Sequence, residues 1–266
     1  MDTPVMFRHR PVAADTDMLP AYMPVPGMGV LAVNAFVIRG TEPVLVDAGL
    51  GALRGDFLAQ LESVVDLSDL RWIWITHTDP DHVGNLQAVL ERAPAAKVIT
   101  TYLGMGKMGM LDPVPPDRVH LLNPGQRLVA NDRTLIAVKP PTFDAPETTA
   151  LVDTQTGALF SSDCFGAVLG EPQDAAADIA PGELREGAVT WTSVDAPWLH
   201  ATDERHFERS LQEVRQIDPT VVLSSHLPPA RGMTSALLEH LRVARRAAPF
   251  VGPDQQALTQ MLAAVA

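Results

Sequence analysis

Residues 75–85 read ITHTDPDHVGN. Within His77–His82 this stretch holds two histidines and two aspartates, with Pro80 between the carboxylates. The residues just before it, LRWIWIT, form a short continuous apolar run of the kind that makes a buried strand. The residues after it, GNLQAVLERAP, resume at helical spacing until Pro94 ends the pattern. The polar loop therefore sits between a strand and a helix, where layered α/β proteins place their binding sites. One histidine or aspartate in such a loop is ordinarily a satisfied core residue or a cap; this density of ligand-type side chains points instead to metal binding.

Working outward, VLAVNAFVIRG and PVLVDAGLG read as strands joined by the turn GTEP, and LRGDFLAQLESVV as a helix. AKVITT is a strand, and DRVHLLNPGQRLVANDRTLIAVKPP reads as several short strands separated by turn residues. TALVDTQTGALFSSD is a hairpin with a glycine turn. DERHFERSLQEVRQI is an amphipathic helix capped by Asp203, and DPTVVLSSH is a buried strand ending on a histidine. Between them, residues 165–197 are rich in Gly, Pro and acidic side chains and read as a lid or irregular loop. Residues 233–266 read as two C-terminal helices, broken at PFVGPD, that cover an apolar surface or form a homodimer contact. The expected fold class is α/β, with one domain over 1–266.

Composition narrows the function. With 46% hydrophobic residues in 266, the chain buries a substantial core. A formal net charge of −12 argues against nucleic acid or an anionic membrane as partner, because both demand clustered cations. The basic run RVARR near Arg245 is the solvated face of a helix. No apolar segment suits a signal peptide or a membrane span, and Cys164 is the lone cysteine, which excludes an internal disulfide and a thiolate zinc cluster. A cytoplasmic location is expected.

Three apolar runs each lead into a metal-competent residue: Ile75 to His77, Phe160 to Asp163, and Leu223 to His226. The loop HTDPDH resembles the H-x-H-x-D-H signature of the metallo-β-lactamase superfamily, and more closely the H-x-E-P-D-H form of the flavodiiron proteins, whose proline matches Pro80. PPTFDAPETTALVD, LFSSDCFGA, VNAFVI, LVDAG and SSH are similar to further family segments in matching order, from about Val30 to His226. The resemblance implies a four-layer αβ/βα sandwich with a dinuclear metal site. It implies one metal held by His77, Asp79, Asp144 and Asp163, and a second by Asp81, Asp163 and His226, with His82 adjacent and Asp163 bridging. Asp81 and His82 are the candidates for catalytic work. Thr76, Ser224 and Ser225 are read as hydrogen-bonding supports for the ligands.

Two positions depart from the family pattern. Asp79 stands where flavodiiron proteins use Glu, and Asp144 where a histidine is usual; a β-hydroxylase branch of the same fold is similar in placing a carboxylate there. Carboxylate oxygens favour hard ions such as Fe(II), Mn(II) and Mg(II), and four aspartates balance two divalent charges. The resemblance thus implies two metal ions, iron in the leading reading and manganese or zinc as alternatives, acting on dioxygen or a related small oxidant. No phosphate-binding loop for FMN is found, so no FMN is expected in this chain and a separate electron-donor protein is. The alternatives are a hydrolase of esters, lactones, thioesters or phosphodiesters that uses a metal-bound hydroxide oriented by Asp81, and a metal-poor binding module. Cys164, and Met105, Met108 and Met110, are read as core filling. His9, His120 and His240 are read as structural, and His200 and His206 as surface residues.

Overall fold

The computed structural model describes residues 3–130 and 132–265. In its first half, strands β1 (Val5–Met6), β2 (Arg10–Ala13), β3 (Thr16–Val25), β4 (Gly29–Ile38) and β5 (Val44–Val46) precede helix α1 (Arg54–Val64). Then come β6 (Trp72–Trp74), α2 (Pro80–Val83), α3 (Leu86–Arg92), β7 (Lys97–Thr100), α4 (Tyr102–Leu111) and β8 (Val119–Leu121). In the second half, β9 (Arg127–Ala130), β10 (Arg133–Val138), β11 (Ala150–Asp153), β12 (Ala158–Phe160) and β13 (Val168–Leu169) lead to α5 (Pro181–Asp195) and α6 (Glu204–Ile217). β14 (Val221–Leu223), β15 (Ala230–Arg231), α7 (Thr234–Arg246) and α8 (Gln255–Val265) complete the order.

These strands make two sheets. The first is nine-stranded, with the path β1-β3-β4-β5-β6-β7-β8, β2 beside β3 and β13 beside β4. The second is six-stranded, ordered β15-β14-β12-β11-β10-β9. β5 to β8 pair in parallel, as do β12 and β14, while β3, β4 and β5 are antiparallel neighbours.

Side-chain alternation divides the interior into three cores. Phe36, Ile38, Val44, Val46, Trp74 and Ile99 face Leu135, Ala137, Leu151, Phe160, Val221 and Leu223 across the space between the sheets. Their strand neighbours Ala35, Val37, Leu45, Ile73 and Val98 pack outward on Phe57, Leu61, Val89 and Met108 of α1, α3 and α4. On the far side, Ala150, Val152, Leu159 and Val222 pack on α5, α6 and α7 through Leu184, Phe207, Leu211 and Leu238. The result is helices, sheet, sheet, helices. Being buried on both faces explains why these strands read as unbroken apolar runs.

Two sequence expectations need correction. Residues 165–197 are not an irregular lid: β13 pairs with β4, and the 15-residue α5 occupies nearly half of the remainder. Pro181 starts this helix at a position where a missing N–H costs nothing, and Gly187 lies so close to the Val168 backbone that a Cβ would meet its carbonyl oxygen at 2.1 Å. The methionines of α4 are not uniformly core either: Met108 is buried, Met105 is partly so, and Met110 is 78% exposed. The reading of two C-terminal helices holds over α7 and α8, its last residue, Ala266, lying outside those described.

Candidate metal centre

The cluster lies where strands of both sheets run out. His77 follows β6, Asp163 follows β12 and His226 follows β14, each three residues past its strand, and Asp47 comes directly after β5. Backbone bonds between strand exits hold them in place: Asp47 N–H donates to Trp74 O (2.9 Å), Ser225 N–H to Ser162 O (2.9 Å) and Ala48 N–H to His82 O (2.6 Å). Asp47, Ser162 and Phe165 adopt positive φ of 60°, 55° and 69°. Such conformations cost about 1 kcal/mol or more each and gather at functional sites. Between Asp47 and His82, the short helix α2 begins at Pro80 and carries Asp81 and His82.

All three imidazoles present Nε2 to the same space, because each Nδ1 is engaged behind it. His226 Nδ1 donates to Ala32 O at 2.6 Å, His82 Nδ1 to Asp47 Oδ2 at 2.8 Å, and His77 Nδ1 lies 3.2 Å from Ser162 Oγ and 3.3 Å from Thr76 Oγ1. Asp47 is itself held by the Thr76 N–H and hydroxyl at 2.8 and 2.9 Å. Ser224 Oγ donates to Ser162 O and accepts from the His226 N–H. This is the arrangement that fixes a ligating tautomer.

Asp163 stands between the imidazoles. Its Oδ2 is 3.4 Å from His77 Nε2, and its Oδ1 is 3.0 Å from His82 Nε2 and 3.2 Å from His226 Nε2. The donors separate into groups whose ligand atoms lie within 4.8 Å of one another: His77 with Asp79 and Asp144, and Asp81 with His82 and His226. Asp163 forms a further such group with His77 and His82. Every site residue expected from the sequence is thus brought together: His77, Asp79, Asp81, His82, Asp144, Asp163 and His226.

Three buried atoms test whether a cation fits. His77 Nε2, His82 Nε2 and Asp163 Oδ1 have no hydrogen-bond partner. Leaving such an atom buried and unsatisfied costs roughly 1–3 kcal/mol, and here the three residues' ligand atoms lie within 4.8 Å of one another. Two carboxylate pairs also stand within 4.8 Å, Asp79 with Asp144 and Asp163 with Asp195. No Lys or Arg ion-pairs with any of these aspartates among the described residues. The donor set fits hard cations.

The electrostatics of the metal-free cluster follow. Burial works against charge on Asp163, but His77, His82 and His226 outweigh it and hold its carboxyl well below the usual range. Burial likewise opposes protonation of His226, yet Asp163 and Asp81 raise it to about 9. His82 is raised in the same way by Asp81, Asp163 and Asp47, against burial. Asp195 is pushed up to about 8, first by burial and then by Asp163 and Asp144. Burial also raises Asp79 and Asp144. Cys164 is buried as expected, its thiol pushed up to about 12, and the surface placement of His200 and His206 is observed.

Sequence reasoning missed Asp195, Asp47 and Trp191. Trp191, on α5, donates from Nε1 to Asp163 O at 3.0 Å, and its ring lies 4.5 Å from that of His226. Phe143 and Trp198 form a second aromatic wall, their rings 4.9 Å apart. Asp47 was in view within LVDAG, and its place at the end of an apolar run was the same signal that marked His77.

Two sheets sandwiched between helices, with histidines and aspartates gathered at their strand ends, define a metallo-β-lactamase fold with a candidate dinuclear metal centre. The model of the ODP family beta lactamase matches residues 31–226, and the chain belongs to that family. Among curated proteins it is 33% identical over 135 residues to the putative diflavin flavoprotein A 1 of Thermosynechococcus vestitus, covering 50% of this chain and 24% of that protein. It is 32% identical over 136 residues to the type A flavoprotein fprA of Rhodobacter capsulatus, covering 50% of this chain and 31% of that protein. The chain therefore spans about a quarter to a third of these relatives' length. The rubredoxin oxygen:oxidoreductase of Desulfovibrio gigas shares the fold, with a TM-score of 0.78 and 19% identity over 89% of this chain and 61% of that one. No helix among the described residues is long and apolar enough to cross a membrane.

Proposed function

We propose that this chain is a dinuclear non-haem iron protein that binds or reduces dioxygen or a related small oxidant, taking electrons from a separate donor protein. The observation that carries the metal centre is the gathering of His77 Nε2, His82 Nε2 and Asp163 Oδ1, buried and unpartnered, with His77 and His82 at opposite oxygens of the Asp163 carboxylate. A small oxidant is supported by the name of the Desulfovibrio gigas protein, and iron by the carboxylate-rich donor set. His77, Asp79, Asp144 and Asp163 would hold one ion, and Asp81, His82, His226 and Asp163 the other. When bound, a pair of iron ions would supply a place for the oxidant and would pass on electrons received from the donor.

The chain's own groups do the rest. Asp47 and the Ala32 carbonyl lock the imidazoles of His82 and His226, so little reorganisation accompanies a change of charge at the cluster. Trp191 packs its ring on that of His226 and shields this imidazole from bulk water. Side-chain exposure is 0% at His77 and 6% at Asp163 but 21% at Asp81 and 26% at Asp144. The cluster therefore meets solvent at the Asp81 and Asp144 carboxylates. The hydrolase alternative rests on the fold alone.

The test is anaerobic reconstitution with Fe(II), followed by elemental analysis and absorption spectra before and after exposure to oxygen. About two irons per chain and an oxygen-dependent absorption change are expected. Iron-free protein with no spectral change overturns the reading, and turnover of a chromogenic ester by the zinc-loaded protein favours the hydrolase.

A further inference from the structure

The carboxylate that the sequence did not reveal is the last residue of α5. Asp195 is 9% exposed, and its oxygen lies within 4.8 Å of ligand-type oxygens of both Asp144 and Asp163. Metal–oxygen bonds of about 2.0–2.6 Å let two donors of one ion stand up to roughly 5 Å apart. We propose that Asp195 is an oxygen ligand to the same cation as Asp144 and Asp163, so that the two ions of the pair sit in unequal donor sets, one rich in imidazole and the other in carboxylate. This rests on the two-cation reading given above.

Several features of the chain converge on Asp195. Its carboxyl group lies within 4.8 Å of those of both Asp144 and Asp163, and three carboxylates gathered so closely call for a positive charge or a proton among them. It also stands at the C-terminal end of a helix, where the macrodipole is negative and a carboxylate is out of place unless a cation faces it. No lysine or arginine fills that role among the described residues, whereas His77 Nε2, 3.4 Å from Asp163 Oδ2 and 3.8 Å from Asp144 Oδ1, is buried and unpartnered at that end of the cluster.

The position is also rigidly set. α5 lies against β13 through Gly187, with no room for a side chain there, and Trp191, one turn before Asp195, is bonded to the Asp163 carbonyl. With Asp144 in place of an imidazole, the open end of the cluster has only His77 as nitrogen donor. Added carboxylate oxygen compensates for that loss in a particular direction, toward hard ions such as Mn(II) and Fe(II) and away from ions that prefer nitrogen.

The experiment is anaerobic titration of the metal-free full chain with Mn(II), followed by the electron paramagnetic resonance signal of the free ion, with elemental analysis of the loaded protein. Two binding steps are expected for the natural sequence. In Asp195→Asn one step should weaken by about tenfold or more while the other is unchanged, and Asp195→Glu should recover part of the loss. Binding by Asp195→Asn indistinguishable from the natural sequence overturns the inference while leaving the two-cation reading intact. Failure of the natural sequence to bind any ion overturns both. A crystal structure of the Mn(II)-loaded natural chain asks the same question without substitution: an Asp195 oxygen at about 2.2 Å from an ion is expected, and one beyond about 3 Å sinks the proposal.

Discussion

The two ends of the cluster are built by different means. At one end, His82 and His226 are buried, and each Nδ1 is fixed by a group on or directly after a strand, Asp47 or Ala32. At the other, Asp144 stands on the connection between β10 and β11 and keeps 26% of its side chain exposed. That connection is pinned at several points: Lys139 Nζ donates to Pro146 O and Thr148 O, Trp198 Nε1 donates to Phe143 O, and Glu147 accepts from Thr78 and Lys107. Strand exits thus fix where imidazoles point, and a tethered loop decides which donor completes the set. The buried end governs geometry; the open end is where the choice of ion can change.

Substitutions can break or sharpen this contrast. Asp163 belongs to both ends, so Asp163→Ala should abolish binding of both ions, whereas His82→Ala should leave at least one bound. Equal loss in the two variants, read by elemental analysis, would show that the ends are not separable. Asp47→Asn tolerates the φ of 60° and removes the charge behind His82 together with one of the two oxygens that accept from Thr76 and His82. It should weaken the imidazole-rich end by about 10–100-fold and spare the carboxylate-rich end, as two-step titration would reveal.

Gly166→Ala tests the packing around the buried end. A Cβ there would lie 2.5 Å from Trp191 Nε1 and 2.7 Å from His226 Cβ, so a loss of about 1–3 kcal/mol in chemical denaturation is expected. The smallest effect concerns pH. In metal-free protein, His226 at about 9 and Asp195 at about 8 keep protons that the unfolded chain releases near 6.5 and 3.8. The folded state therefore binds more protons, and its stability should fall as pH rises from 7 to 9. Bound ions displace those protons, so metal affinity should rise over the same window. Thermal melts of both forms at pH 7 and 9 check the two signs.

The parts legible in the sequence share a cause. β6, β12 and β14 are buried on both faces, so each is an apolar run ending abruptly in polar residues, and His77, Asp163 and His226 stand at those ends. Asp195 carried no such mark, because it closes a helix whose composition, begun by Pro181 and including Gly182 and Gly187, resembles that of a loop. β3 was hidden similarly: Pro20 and Pro24 interrupt its pattern, yet both lie in a ten-residue ladder with β4. Nor could the sequence separate β8 from β9, short neighbours in the chain that join different sheets.

The placement of the cluster across the two sheets has a mechanical meaning. His77 and His82 hang from one sheet, Asp163 and His226 from the other, and the chain has a single thiol with which to staple anything. Ions seated there would rivet the halves of the sandwich together at its rim, lending a disulfide-free protein a cross-link that a chelator can open and a salt solution can restore.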